Sequence, residues 1–134
     1  DGQGNLYGVG GSGSPGSFGF IYRIDASGQY EVVARFQPDI DPVAGSGPSG
    51  TMVRDSAGMM YGVTKRGGNR NFSDGTIFKF DPNTRALTTL YSFADSGGRY
   101  KWPVALTIDR QGVLYGVTRG GDAPNQGQIF KFTP

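Results

Sequence analysis

The tetrapeptide LYGV at residues 6–9 returns at residues 114–117, and the variant MYGV stands between them at residues 60–63. Tyr7, Tyr61 and Tyr115 are therefore spaced by 54 residues on either side of the central copy. The flanks repeat as well, because D-x-x-G precedes each copy and the segments FIYRID, TIFKFD and QIFKFT follow. A period of this size indicates a repeat protein, and it limits the fold more than any other feature.

Each period contains four short apolar runs with the alternation of β-strands. In the central copy, Ile77 and Lys79 would point to one face of a strand, and Phe78 and Phe80 to the other. The D-x-x-G motif predicts a tight hairpin turn in which Asp accepts hydrogen bonds from backbone amides and Gly adopts a positive φ. DASG at residues 25–28 and DPNT at residues 81–84 predict a similar turn between the third and fourth runs. We expect no helix.

Four antiparallel strands per repeat predict an all-β fold of four-stranded β-propeller blades. We interpret residues 1–47 as an incomplete first blade with its following loop, residues 48–102 as a second blade and residues 103–134 as an incomplete third blade. The strand order begins at the second strand of one blade and stops after the third strand of another. We therefore expect a single repeat array that belongs to a larger propeller, or to an assembly in which copies complete one another.

The residue types that are missing exclude several classes of chemistry. The chain has no Cys and no His, so it has no disulfide, no thiol nucleophile, no imidazole base and no Cys or His zinc site. A formal net charge of +2 without a long basic run argues against nucleic-acid binding. No apolar run approaches the roughly 18 residues of a membrane span. No signal peptide opens the chain, which starts at Asp1 as a mature piece or an excised segment would.

The motifs LYGVT, G-G, GxIFKF and LYSF resemble the Gloeo/Verruco (GloVer) tandem repeat of bacterial surface and secreted proteins. The resemblance is clearest over residues 55–134, where LYSF and LYGVT stand at residues 90–93 and 114–118. The first repeat departs from the pattern, with VG in place of VT and RF in place of SF. The resemblance implies a propeller-like array that is extracellular or at the cell surface. It implies no activity, so it transfers no catalytic residue.

The long connections of the predicted blades all fall at one end. They are residues 10–17, 65–74 and 119–126 after the second strand, and residues 37–48 and 95–103 after the fourth. Long loops are the usual place for binding residues, and their amides, guanidinium groups and aromatic rings suit a polyhydroxylated ligand such as a glycan. The alternative is a set of solvated side chains with Trp102 packed beneath its loop. The candidate ligand-binding residues are Arg66, Asn69, Arg70, Asn71, Tyr100, Trp102, Arg119, Asp122 and Asn125.

Two further sets of residues have alternative interpretations. Asp39 and Asp41 in the PDIDP segment are candidate calcium ligands, and no other cofactor is expected. The three repeated tyrosines are expected to lie in the core between blades, although a ladder for stacking ligands is the alternative.

The leading functional hypothesis is a non-catalytic extracellular module that serves as a binding or structural surface. Its partners would be a glycan or another surface ligand, further repeats of the same chain, or identical copies. The first alternative is a structural protein that assembles into a ring or filament through open strand edges. The second is a propeller-type hydrolase or lyase that uses Asp122 or Asp74, since Glu31 is the only Glu in the chain.

Overall fold

The computed structural model describes residues 1–11, 17–37, 44–68, 74–96, 101–120 and 127–134. Ten β-strands occur in this part of the chain, together with one 3-10 turn at Phe93–Ser96. The strands are β1 Leu6–Gly10, β2 Phe20–Ile24, β3 Tyr30–Arg35, β4 Ser46–Arg54, β5 Met60–Arg66, β6 Thr76–Phe80, β7 Leu87–Ser92, β8 Pro103–Ile108, β9 Leu114–Thr118 and β10 Ile129–Phe132. The predicted all-β fold is confirmed, and the described residues contain no α-helix; the 3-10 turn was not predicted.

The strands form three antiparallel sheets in the order in which the repeats occur. The first sheet is β1-β2-β3, the second is β4-β5-β6-β7 and the third is β8-β9-β10. One strand begins earlier than expected: β4 starts at Ser46 because that residue pairs with Arg66 at the end of β5. Arg66, which the sequence placed in a loop, therefore lies in a strand.

The predicted hairpin turns are present at both kinds of tight connection. Between β8 and β9, the Asp109 carboxylate accepts hydrogen bonds from the amides of Gln111 and Val113, both at 2.9 Å, and Gly112 has a φ of 83°. The Asp1 carboxylate makes both equivalent contacts, the Asp55 carboxylate accepts a hydrogen bond from the Met59 amide, and the glycines of both turns also have positive φ. Asp25 accepts comparable bonds between β2 and β3. Hairpin chemistry therefore sets the spacing of the strands in every sheet.

The second sheet is covered on both faces. On one face, cluster 1 joins Ile21, Val33 and Phe36 of the first sheet and the chain that follows it to Met60, Phe78 and Phe80. On the other face, cluster 2 joins Tyr61, Val63, Ile77 and Phe93 to Leu106 and Leu114 of the third sheet. The predicted alternation along β6 is thus confirmed, because Phe78 and Ile77 belong to different clusters. Each interface contains an edge-to-face aromatic contact, with ring centroids 5.1 Å apart for Phe36–Phe78 and 5.0 Å apart for Phe93–Phe130.

The glycine of the repeated tetrapeptide leaves room for an aromatic ring. Gly62 pairs with Phe78 across β5 and β6, and a Cβ placed on Gly62 would lie 2.3 Å from Cζ of that ring. The same arrangement occurs in the other two sheets, as the pairs Gly8–Tyr22 and Gly116–Phe130. An aromatic ring that lies across a strand glycine covers the backbone of both strands and helps to fix their register.

The tyrosine of the tetrapeptide belongs to the core in the first two sheets, as predicted, whereas Tyr115 of the third sheet belongs to neither cluster. Tyr61 is buried in cluster 2, and its hydroxyl donates a hydrogen bond of 2.9 Å to Asp55. Burial, followed by this contact with a carboxylate, raises the pKa of Tyr61 to about 12. Tyr7 packs on cluster 1, with its ring centroid 6.2 Å from that of Phe80.

In the described ranges no helix is long and apolar enough to cross a membrane.

Candidate functional site

The ends of the long connections are held by glycine–proline contacts between successive sheets. Gly75, just before β6, approaches Pro103 so closely that a Cβ on the glycine would lie 2.6 Å from Cδ of the proline. Gly19 makes the same contact with Pro48, at 2.3 Å. Both glycines have positive φ. The Gly75 carbonyl accepts a hydrogen bond from the amide of Phe93, just after β7, and the Gly19 carbonyl accepts one from the amide of Phe36, just after β3. Each repeat is thereby joined to the next at this end of the sheets.

A threonine closes the base of the connection that follows the second strand of a repeat. The Thr64 hydroxyl donates to the carbonyl of Arg66 at 2.8 Å, and the Thr76 amide donates to the Thr64 hydroxyl at 3.1 Å. Thr118 makes the equivalent contacts with Gly120 and Gln128. The last residue of the LYGVT motif therefore fixes where the loop leaves the sheet and where it returns.

A cleft of about 540 Å³ opens at this end, between the first and second sheets. Lys65 and Arg66 are exposed along it, and Phe18 is half-buried. The remaining lining residues are Gly11, Ser17, Ser46, Gly47 and Pro48. Basic, hydroxyl-bearing and apolar residues thus line this cleft, a composition that suits a hydroxylated or anionic small ligand.

The junction between the second and third sheets carries different side chains at the equivalent positions. Trp102 precedes Pro103 as Gly47 precedes Pro48, and both residues have a left-handed backbone, with φ of 46° and 62°. The carbonyl of Trp102 accepts a hydrogen bond of 3.0 Å from the Arg119 amide. Lys101 is buried, and its Nζ donates to Gln128 Oε1 at 2.9 Å. The second junction thus replaces the glycine of the first with a half-buried indole.

The structure separates the predicted binding residues into two groups. It brings Trp102 and Arg119 together at the second junction, and it places Arg66 in the cleft at the first. The remaining candidates, including both proposed calcium ligands, lie outside the described residues: Asn69, Arg70, Asn71, Tyr100, Asp122, Asn125, Asp39 and Asp41. Within the described ranges, no three or more His, Cys, Asp or Glu residues are grouped so that they could hold a metal ion.

Sequence reasoning missed most of the cleft. Lys65, Ser46, Gly47 and Phe18 line it, but none was a candidate. Lys65 could have been identified from the repeat, because it lies 54 residues before Arg119, which was a candidate. Ser46 and Gly47 carried no such signal, since their place at the start of β4 depends on strand pairing.

A second polar cleft, of about 590 Å³, lies at the opposite end, beside the tight turns of the first and second sheets. Arg23, Arg54 and Arg85 contribute to its walls. Glu31 crosses from the first sheet to the second in this region, bonded to Arg85 at 2.6 and 3.2 Å and to Arg23 at 3.1 Å. The only glutamate of the chain therefore has a structural role in joining two repeats.

The sequence matches the profile of the Gloeobacter/Verrucomicrobia repeat over residues 1–134. The chain belongs to this family. No curated protein matches the sequence significantly. In this Gloeobacter/Verrucomicrobia repeat protein, two residues of the repeated LYGVT motif have structural roles that recur between repeats. The glycine of LYGVT accommodates an aromatic ring, and the threonine closes a loop.

Proposed function

We propose that this Gloeobacter/Verrucomicrobia repeat protein is a non-catalytic binding module whose sheets are successive blades of a β-propeller-like array. The proposal rests on the cleft at the long-loop end, where Lys65 and Arg66 stand beside hydroxyl groups and an apolar wall. Its volume of about 540 Å³ lies within the range of small-ligand sites. In this arrangement the face-to-face packing of the sheets supplies the scaffold, and the loops supply the ligand contacts.

The favoured ligand is a glycan. Exposed cations pair with ring hydroxyls or with acidic sugar groups, and Phe18 and Pro48 offer an apolar surface for the face of a sugar ring. Trp102 and Arg119 would extend the same surface over the second junction, because their main chains are paired there. An extracellular or cell-surface location fits such a ligand and is part of the proposal.

A hydrolase or lyase is the weaker alternative. Asp74 is its only candidate carboxylate within the described ranges, and that residue is 7% exposed. A substrate has little access to a carboxylate buried to this extent, whereas Lys65 and Arg66 stand open to solvent. The exposed cations therefore favour binding over catalysis.

A glycan array probed with the wild-type protein tests the proposal, and a complete absence of bound glycans would refute it. For any glycan that binds, Lys65→Ala and Arg66→Ala should each weaken affinity by about tenfold, the value of one lost charged hydrogen bond. Arg110→Ala, at an exposed turn on the opposite end, is the matched control and should bind as the wild type does. Trp102→Ala and Arg119→Ala then report whether the second junction takes part.

A further inference from the structure

The two outermost sheet faces expose large apolar side chains. Leu6 is 66% exposed and Tyr30 is 56% exposed on the first sheet. On the third sheet, Ile129 is 83% exposed and Val117 is 40% exposed. These four are the exposed large hydrophobic residues of the described part of the chain. They are confined to the two ends of the stack, which marks both ends as contact surfaces.

The equivalents of the exposed pair on the third sheet are packed against a neighbouring sheet in the other two repeats. A valine lies directly opposite an isoleucine once in each sheet, as Val9–Ile21, Val63–Ile77 and Val117–Ile129. In the second sheet, Val63 and Ile77 are each 1% exposed, because they pack against the third sheet in cluster 2. In the first sheet, the pair contributes to cluster 1, where it packs against the second sheet. The outer face of the third sheet, which we call the Val–Ile face, thus repeats a surface that the molecule covers twice.

The exposed residues on the first sheet repeat the other side of the same interfaces. An apolar pair joins the start of the second strand of each repeat to the end of the third strand: Leu6–Ile24, Met60–Phe80 and Leu114–Phe132. The Met60–Phe80 pair packs on the first sheet in cluster 1, and the Leu114–Phe132 pair packs on the second sheet in cluster 2. Leu6 faces away from the second sheet, since its neighbour Tyr7 points into cluster 1. We call this surface the Leu–Ile face.

We propose that copies of this chain associate head to tail, with the Val–Ile face of one copy packed on the Leu–Ile face of the next. At each internal interface a Val–Ile pair packs opposite a pair of the other kind, Met60–Phe80 or Leu114–Phe132, and the two free faces are one of each kind. The contact would therefore reproduce the packing seen between the first and second sheets and between the second and third. Because two different surfaces meet, the interface is heterologous and extends into a ring or a filament. Association uses sheet faces and requires no pairing of strand edges.

Two single variants of the 134-residue chain block one face each. Ile129→Asp places a carboxylate on the Val–Ile face, and Leu6→Asp places one on the Leu–Ile face. Both positions are exposed, so each variant should keep the circular dichroism spectrum of the wild type. Each should weaken association by roughly a hundredfold or more, since losing a buried aliphatic side chain and desolvating a carboxylate each cost at least a factor of ten. Ser56→Asp, at an exposed turn, is the matched control and should associate as the wild type does.

Mass by light scattering over a concentration series gives the result. We expect the wild type to exceed 14.2 kDa increasingly with concentration, and each blocked variant to remain at 14.2 kDa. An equimolar mixture of the two variants retains one free face of each kind and should stop at twice that mass. A wild type that stays monomeric into the millimolar range would overturn the proposal. So would a Leu6→Asp variant that still associates with itself, or a mixture of the variants that stays monomeric.

Discussion

Replacing Gly62 with alanine should destabilise the protein, although alanine is normally the better residue in a strand. The backbone at Gly62 is not left-handed, so reduced freedom of the unfolded chain would by itself add about 0.4–1 kcal/mol of stability. In the folded state, however, the new Cβ would lie 2.3 Å from Cζ and 2.8 Å from Cε1 of Phe78. That ring is 1% exposed and packs edge-on against Phe36, so it has little room to move.

Overpacking of a dense core costs about 1–3 kcal/mol, which exceeds the entropic gain. The net loss for Gly62→Ala should be about 1–2 kcal/mol, and the melting temperature should fall by roughly 3–6 °C for each kcal/mol in a domain of this size. Urea denaturation followed by tryptophan fluorescence and circular dichroism measures the free energy of unfolding. Gly2→Ala is the matched control, since no atom lies within 4 Å of the added Cβ, and it should be neutral or slightly stabilising.

A double variant separates the steric contact from any other effect. Phe78→Leu shortens the side chain over Gly62, so the combination Gly62→Ala with Phe78→Leu should lose less stability than the sum of the two single changes. The coupling expected for residues in contact is about 0.5–3 kcal/mol. Additive losses, or a Gly62→Ala variant as stable as Gly2→Ala, would refute the view that the repeated glycine exists to accommodate the ring.

Three further changes test contacts within and between the sheets. Arg85→Gly should not lower the free energy of unfolding. The variant loses an exposed ion pair with Glu31 worth about 0.2–1 kcal/mol, but glycine relieves the strain of the left-handed backbone at φ 62°. A loss above about 1 kcal/mol in denaturant titrations would contradict this. Tyr61 should ionise near pH 12 in ultraviolet titration. Its raised pKa stabilises the fold fully below pH 10, and this contribution is lost as the pH rises from 10 towards 12; Tyr61→Phe should remove that alkaline dependence. Thr64→Val should cost about 1–3 kcal/mol, since it removes the acceptor of the buried Thr76 amide and the donor to the Arg66 carbonyl, and a stable variant would show that the loop base does not need the hydroxyl.

The sequence predicted the strands well because each depends on short-range signals. The alternation of Ile77 with Phe78 assigned two faces to β6, and both faces are used as expected. The D-x-x-G turns were predictable for the same reason, since Asp109 and Gly112 act within four residues of chain. These features need no knowledge of how the sheets pack.

The contacts between repeats were not predictable in this way. The contact between the Phe78 ring and Gly62 can be inferred only when the register of β5 and β6 is known, and no local pattern in the sequence specifies that register. The ion pair of Glu31 with Arg85 depends on how two sheets stack, so no local sequence pattern indicated it. The candidate cleft was only partly predicted because Arg66 was assigned to a loop and Lys65 was passed over, although strand pairing places both at the end of β5.

The stacking of the three sheets is most directly tested by nuclear Overhauser effects between aromatic rings of different repeats. Selective labelling of phenylalanine should give cross-peaks between Phe36 and Phe78 and between Phe93 and Phe130, whose ring centroids are 5.1 and 5.0 Å apart. The first cross-peak reports packing of the first sheet on the second, and the other reports packing of the second sheet on the third. A well-dispersed spectrum that lacks both, or that connects Phe36 to Phe130 instead, would contradict the stacked arrangement.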